Sequence, residues 1–331
     1  MSTTATEQQT TMKAIVRDRY GPPEVLRVEE IERPALAADG VLVRVRASSV
    51  NRADWYGAAG KPRIARLMMG GVLRPRERQL GTDFAGVVEA VGEDVAGFEP
   101  GDEVFGGRSG AYAEYVCARS LALKPANVSF EEAACVGVAG LTALQGLRDR
   151  GRVQPGSKVL VNGASGGVGT FAVQIAKALG AEVHAVCSAR NVEQARALGA
   201  DRVIDYAKED FTRSGERYDV VFDVAGSRSW HACKRVLKPR GIVVVVGARN
   251  APLVGPLGHV AAMRLASLGS SRKAVFFVAK FNRPDLETLG ELLATGKLRP
   301  VFDRTYPLGE VADAFRAMGE GNLRSKLVVT I

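Results

Sequence analysis

The chain has 331 residues, 46% of them hydrophobic and 24% charged, with a net charge of +9. That length suits two domains better than one core, and the composition excludes a disordered or fibrous chain. The longest apolar run, near residues 241–248, is too short to span a bilayer, so no transmembrane segment is expected.

Residues 1–11 lack the basic stretch and apolar core of a signal peptide and read as a disordered tail. Residues 12–134 read as short strands broken by glycine turns. Val41, Val43 and Val45 alternate with Arg44 and Arg46, the period of a half-buried strand. "FAGVVEAVGEDV" and "GDEVFG" follow, parted by the Pro100-Gly101 turn, so this half is expected to be a compact β barrel. The densest basic stretch lies within it, at 61–78, where Lys61, Arg63, Arg66, Arg74, Arg76 and Arg78 stand against Glu77. No aromatic is interleaved, so a stacking platform for bases is missing and no nucleic-acid partner is expected. A solvated loop, or a general attraction for phosphate-bearing cofactors, is the expectation. Leu67, Met68, Met69, Val72 and Leu73 interrupt the stretch; they suit either a lid over a hydrophobic substrate or packing against the barrel.

Residues 135–281 alternate strand and helix, the pattern of a parallel sheet covered on both faces. Strands are expected at 158–162, 182–187, 202–204, 219–223, 241–247 and 273–278, the count of a doubly wound Rossmann domain. A helix at 168–179 places Val168, Ala172, Ile175, Ala176 and Leu179 on one face, and Gly180 can end it in a left-handed turn. Residues 282–331 read as helix, helix, strand. The cysteines, Cys117, Cys135, Cys187 and Cys233, form no C-x-x-C pair, which points to a reducing compartment and a cytoplasmic location.

The turn "NGASGGVG" joins the first of these strands to the helix. The three glycine positions of the dinucleotide fingerprint are occupied by Ala164, Gly166 and Gly169. Ala164, Ser165, Gly166, Gly167 and Val168 are therefore expected to cradle a pyrophosphate at the helix N-terminus. An NAD site places an acid at the end of the second strand. This chain has Cys187-Ser188-Ala189-Arg190 there. Arg190 and Ser188, with Tyr206 after the third strand, suit a 2′-phosphate, so the expected cofactor is NADPH. The alternative is that Arg190 merely begins the next helix on the surface. Thr142 is a further candidate contact on the nicotinamide side. Gly247, Phe277 and Val278 end the fifth and sixth strands, where doubly wound sheets bind ligands.

"GTDFAGVVEAVGEDVAGFEPGDEVFG", "NGASGGVGTFAVQIAKALGA", "SSVNRADWYGAAG" and "FFVAKFN" together resemble the zinc-independent quinone oxidoreductase branch of the medium-chain dehydrogenase/reductase superfamily. "AVCSARN" and "FFVAKFN" are most similar to reticulon-4-interacting-protein-like oxidoreductases and plant alkenal/enone reductases. The resemblance implies a GroES-like catalytic domain at 12–134, a Rossmann domain at 135–281, and a tail at 282–331 that rejoins the catalytic domain. In zinc-dependent relatives, the positions matching Asn51, Thr82 and Val138 hold catalytic metal. None of these three is a plausible zinc ligand, so no metal is expected. Cys135 and His184 are expected to be packed. The implied activity is hydride transfer from NADPH to quinones or α,β-unsaturated carbonyl compounds, which accept hydride without a Lewis acid. Tyr56 matches a tyrosine beside the nicotinamide and is the candidate proton donor, the alternative being a loop anchor. Asn51 and Asp54 are expected to orient the cofactor or shape the pocket. Lys326 either closes the cleft or is a surface lysine. A homodimer is implied through "KAVFFV" of the sixth strand. The competing functions are a low-turnover nucleotide-binding protein of zeta-crystallin type with a macromolecular partner, and an enoyl reductase of secondary metabolism.

Overall fold

The computed structural model describes residues 10–61, 66, 71–247, 255–321 and 323–331. Thr11 already belongs to a strand, so the expected tail ends earlier than proposed; residues 1–9 of it, and Leu67, Met68 and Met69 of the suggested lid, lie outside the described residues. Val72 and Leu73 are exposed.

Strands β1 (Thr11–Val16) and β2 (Arg27–Glu32) form an antiparallel pair. Strand β3 (Val41–Val50) buries Val41, Val43 and Val45 and exposes Arg44 and Arg46, as the alternation requires. It leads through Asn51 into helix α1 (Arg52–Ala59), then β4 (Asp83–Val91), β5 (Glu103–Gly107), β6 (Tyr115–Ala118) and β7 (Leu121–Leu123). Two short helices follow, α2 (Phe130–Ala134) and α3 (Gly137–Gln145).

The second half alternates β8 (Lys158–Asn162), α4 (Gly167–Ala178), β9 (Glu182–Cys187), α5 (Val192–Ala197), β10 (Arg202–Asp205), β11 (Tyr218–Asp223), α6 (Trp230–Arg235), β12 (Leu237–Val245), α7 (Gly255–Ala266) and β13 (Lys273–Phe276). The strands make one parallel sheet in the order β10-β9-β8-β11-β12-β13. The order reverses at β8, so the crevice beyond its carboxyl end is the switch point where such sheets bind ligands. Helix α4 was expected to bury one face. Instead every residue from Gly169 to Ala176 is buried, because the sheet covers one side while α3 and the tail cover the other. Gly180 follows with φ of 80°, the left-handed conformation that a glycine adopts without strain.

The tail contains α8 (Arg283–Ala294), β14 (Phe302–Pro307), α9 (Val311–Glu320) and β15 (Lys326–Thr330). Strand β14 was missed in the sequence. It is an edge strand paired only with β15, so its residues stay partly or fully exposed and show no apolar alternation. Strand β15 pairs antiparallel with β3, making the order β14-β15-β3-β4-β5-β7, with β6 on the other part of β3. The last residues of the chain are thereby placed beside Asn51. Gln174 of α4 also holds the tail, donating to the Arg299 carbonyl at 3.1 Å and accepting from its amide at 2.8 Å.

Candidate active site

The strand-to-helix turn at 163–166 is shaped by glycine at two places. Gly163 has φ of 91°. A Cβ on Gly169 would run into the Gly163 carbonyl and the Ala164 backbone, so the first turn of α4 can lie against the end of β8 only with glycine there. Ala164 is buried and Ser165, Gly166, Gly167 and Val168 are half-buried around the turn. The first amides of α4 have no acceptor within the helix, and the space over Gly166 is open apart from the Gly163 carbonyl at 3.6 Å. Gly167 serves a purpose that sequence reasoning did not anticipate. Its missing Cβ makes room for the Lys326 side chain, whose Cδ would lie 3.0 Å away.

At the end of β9, Ser188 is half-buried and Arg190 exposed. The neighbouring Asn191, absent from the sequence-based set, is buried and donates from Nδ2 to Ser188 Oγ at 3.1 Å. This leaves the Ser188 proton for another acceptor. Asn191 Oδ1 is buried without a partner. Among the described residues Arg190 has no carboxylate within ion-pair distance, and Tyr206 is 59% exposed, its amide bonded to the Cys187 carbonyl at 3.1 Å. Asp205 is paired with Cys187 across β10 and β9, and its carboxylate accepts from the Ala207 amide at 3.1 Å.

A buried polar cluster lies where β3, β4, α3 and β15 meet. Asn51 stands between β3 and α1, 6% exposed, and its Nδ2 donates to Asp83 Oδ2 at 2.9 Å. Asp83 was not selected from the sequence, yet it is the hub. It is fully buried and also accepts from Ser49 Oγ at 3.1 Å, the Val138 amide at 2.7 Å and the Lys326 ammonium at 3.3 Å. Lys326 further donates to Asn51 Oδ1. It is 3% exposed, which rules out the surface-lysine alternative. Asp54 is turned inward. Its carboxylate accepts from Thr82 Oγ1 at 2.8 Å, the Asn51 amide at 2.9 Å and the Tyr112 hydroxyl at 3.1 Å. Burial, and then the Asp83 charge, raise its pKa above the ordinary carboxylate range. Asn51 and Val138 therefore meet around a carboxylate already matched by an ammonium, and Thr82 is turned to the second carboxylate, Asp54. A dication here would face that fixed positive charge with amide, hydroxyl and backbone groups in place of thiolate or imidazole, so the donor set does not suit zinc.

Tyr56 lies half-buried on α1, edge-on to Trp55 with ring centroids 5.4 Å apart. Thr142 donates its hydroxyl proton to the Val138 carbonyl at 2.6 Å, leaving only lone pairs to offer a ligand. The fifth and sixth strands stop earlier than expected, at Val245 and Phe276, so Gly247, Phe277 and Val278 lie in the segments beyond. Gly247 packs on the Val224 backbone, Val278 is 75% exposed, and the Phe277 ring is engaged with Gly146 and Arg150. His184 is buried between Glu182 and Tyr218, each 3.0 Å from a ring nitrogen, and burial lowers its pKa. Cys135 sits in the core, its thiol pKa pushed up to about 12 by burial. Among the described residues no group of three or more His, Cys, Asp and Glu is placed to hold a metal ion. No described helix is long and apolar enough to cross a membrane.

Residues 37–127 match the family model of the alcohol dehydrogenase GroES-like domain, and 198–329 match that of zinc-binding dehydrogenases. The mouse mitochondrial NAD(P)H oxidoreductase RTN4IP1 is 34% identical, covering 99% of this chain and 91% of that protein. The chain belongs to the medium-chain dehydrogenase/reductase superfamily. The chloroplastic NADPH-dependent alkenal/one oxidoreductase of Arabidopsis thaliana is 33% identical over 96% of this chain and 79% of its own length. Among solved structures, the quinone oxidoreductase from Coxiella burnetii superposes with a TM-score of 0.84 at 32% identity, covering 97% of this chain and 99% of that one. The GroES-like and Rossmann halves expected from the sequence are those of this superfamily member, and it is an oxidoreductase.

Proposed function

We propose that this oxidoreductase uses NADPH, without a metal, to deliver hydride to quinones or α,β-unsaturated carbonyl compounds. The observation that carries the cofactor choice is the exposed, carboxylate-free guanidinium of Arg190 beside Ser188 at the end of β9. A 2′-phosphate suits that pair, whereas a bare ribose leaves Arg190 without a partner. The orphaned Asn191 Oδ1 and the open space over Gly166 support the same reading. In this reading Ala164, Ser165, Gly166, Gly167 and Val168 hold the pyrophosphate, Tyr206 lies near the adenosine end, and Thr142 and the backbone at Gly247, Phe277 and Val278 border the nicotinamide end. When bound, the nicotinamide supplies the hydride. Tyr56 is assigned to the substrate oxygen as proton donor. Asn51, Asp54 and Lys326 act as positioning residues, because buried hydrogen bonds link them with Asp83, and the Lys326 side chain packs on Gly167 of the nucleotide turn.

The metal-free part of the proposal is supported by the Asp83–Lys326 pair, which lies against Asn51 and Val138 of the positions that match zinc ligands. It favours acceptors that spread charge over a conjugated system. The relatives' names, an NAD(P)H oxidoreductase and an NADPH-dependent alkenal/one oxidoreductase, support the same class. A cytoplasmic location agrees with the free cysteines, and a homodimer agrees with β13 standing at the sheet edge.

The decisive experiment follows NADPH and NADH oxidation with 1,4-benzoquinone, 9,10-phenanthrenequinone and alkyl vinyl ketones, before and after chelator treatment. NADPH-selective turnover that survives chelation is expected. Turnover restricted to simple aldehydes, or abolished by chelation and restored by zinc, overturns the proposal. The cofactor choice is tested separately by titration. Arg190→Ala should weaken NADPH binding by roughly ten- to hundred-fold and leave NADH nearly unchanged.

A further inference from the structure

A second concave site lies on the far edge of the Rossmann sheet. It is an open cavity of about 670 Å³, and its charged lining is Arg213, Arg217, His231, Lys234, Arg235 and Arg272. The topology brings these together from three separate stretches. Arg217 immediately precedes β11, Arg235 ends the helix that leads into β12, and Arg272 immediately precedes β13. Since β11, β12 and β13 are parallel neighbours, their amino ends share one rim of the sheet. His231, Lys234 and Arg235 stand at i, i+3 and i+4 of α6, one face of that helix.

The charge is only partly compensated: Asp210 interacts electrostatically with Arg213, but not at ion-pair distance. Among the described residues, none of these five arginines and lysines has a carboxylate within 4.0 Å. The local acids are committed elsewhere: Glu216 to Lys158 and Arg202, Asp219 to Lys238, and Asp210 to Thr212 and Arg228. The arginines are anchored on neutral oxygens instead. Arg272 donates from Nε to the Leu237 carbonyl at 3.0 Å, and Arg217 from Nη1 to the Glu216 carbonyl at 3.1 Å. Arg235 reaches the Thr212 carbonyl and hydroxyl at 3.5 and 3.4 Å. Guanidinium forks held this way keep their full charge and free N–H groups toward the cavity. Holding five like charges around one concavity costs folding energy that a bound anion would relieve.

We propose that this cavity binds a soluble metabolite carrying two or more phosphates. Arginine predominates, and its planar fork suits paired phosphate oxygens. The volume exceeds what one phosphate fills. No Phe, Tyr or Trp lines the cavity, so a nucleobase has at most the small His231 ring to stack on, and concavity favours a compact anion over a flat membrane. The nucleotide turn leaves the carboxyl end of β8, whereas this site borders the amino ends of its parallel neighbours. A strand of six residues such as β11 spans roughly 20 Å, so the two ligands do not compete.

The test uses the full chain saturated with NADPH, titrated calorimetrically with inorganic tripolyphosphate at physiological ionic strength. Saturable binding is expected, weakened at least about tenfold in the Lys234→Gln/Arg235→Gln double variant and again in Arg272→Gln, with NADPH affinity unchanged in both. Absence of saturable binding, equal binding by wild type and double variant, or displacement of tripolyphosphate by NADPH overturns the proposal. So does binding to phosphoinositide vesicles or to RNA without binding to tripolyphosphate. None of these results depends on reductase activity, so this proposal and the NADPH reading fail separately.

Discussion

Replacing Lys326 with methionine tests the cluster that joins the two halves of the molecule. Methionine reaches about as far as the lysine Cε, so the change keeps the part of the side chain that packs on Gly167 and removes the ammonium with its charge and hydrogen bonds. Lys326 is 3% exposed and Asp83 is fully buried, so solvent cannot replace the lost ammonium. Removing one partner of a buried pair generally costs about 3–5 kcal/mol. Asp83 keeps three donors, from Ser49, Asn51 and the Val138 amide, which puts the expected loss at the lower end, about 3 kcal/mol. Adding Asp83→Asn removes the stranded charge, so the double variant should recover much of that loss. The deficit should also depend on pH. Burial and Asp83 hold the Asp54 pKa above its ordinary range, and Lys326 pulls it down, so losing Lys326 raises it further. A carboxyl whose folded pKa exceeds its unfolded value near ~3.9 opposes folding above that folded pKa, and the opposition fades as pH falls toward the unfolded value. The single variant should therefore be more impaired near neutrality than in mildly acidic buffer. Urea denaturation followed by fluorescence reads both halves, since Trp55 lies on α1 and Trp230 on α6. A loss below about 1 kcal/mol for Lys326→Met, or no recovery in the double variant, would refute the reasoning.

Ser188→Asp should shift preference from NADPH toward NADH more strongly than Arg190→Ala, because it adds a carboxylate that repels a 2′-phosphate and accepts from a ribose hydroxyl; equal dissociation constants for both cofactors in wild type would remove the basis for this. Gly169→Ala should destabilise by about 1–3 kcal/mol and weaken cofactor binding, since its Cβ meets the Gly163 carbonyl and Ala164 backbone; an unchanged melting temperature contradicts it. For Asp285, burial acts to raise the pKa, but Arg148, Asn282 and Gln145 outweigh it and hold the carboxyl below its usual value. Its stabilisation is complete above the unfolded pKa near ~3.9 and lost as pH falls through the lower folded value, so Asp285→Asn should flatten the acid limb of a stability–pH curve. Light scattering at micromolar concentration should give a dimer mass, and a monomer mass would leave β13 as a free edge.

Much of the fold was legible in the chain because period and punctuation are local properties. The valine–arginine alternation of β3 and the glycine turn before α4 follow from steric rules acting over a few residues, and the superfamily motifs extended that reading to both halves. Strand β14 escaped because an edge strand need not bury a face. The turn residues and Arg190 could be selected for the same local reason: an acid is missing at a known distance from a recognisable turn. Asp83 could not, because its importance lies in donors from β3, α3 and β15 that are far apart in the chain. Lys326 looked equally suited to the surface until β15 placed it against Asn51 and Gly167. The charge of +9 was visible from the outset, and the linear stretch at 61–78 drew attention first. Yet Arg78 of that stretch is paired with Asp18 and Glu29, while five cations without an ion pair among the described residues, Arg213, Arg217, Lys234, Arg235 and Arg272, gather around one cavity. Sequence determines how many charges a chain carries; which of them are neutralised depends on distances between segments that only the packed sheet brings together.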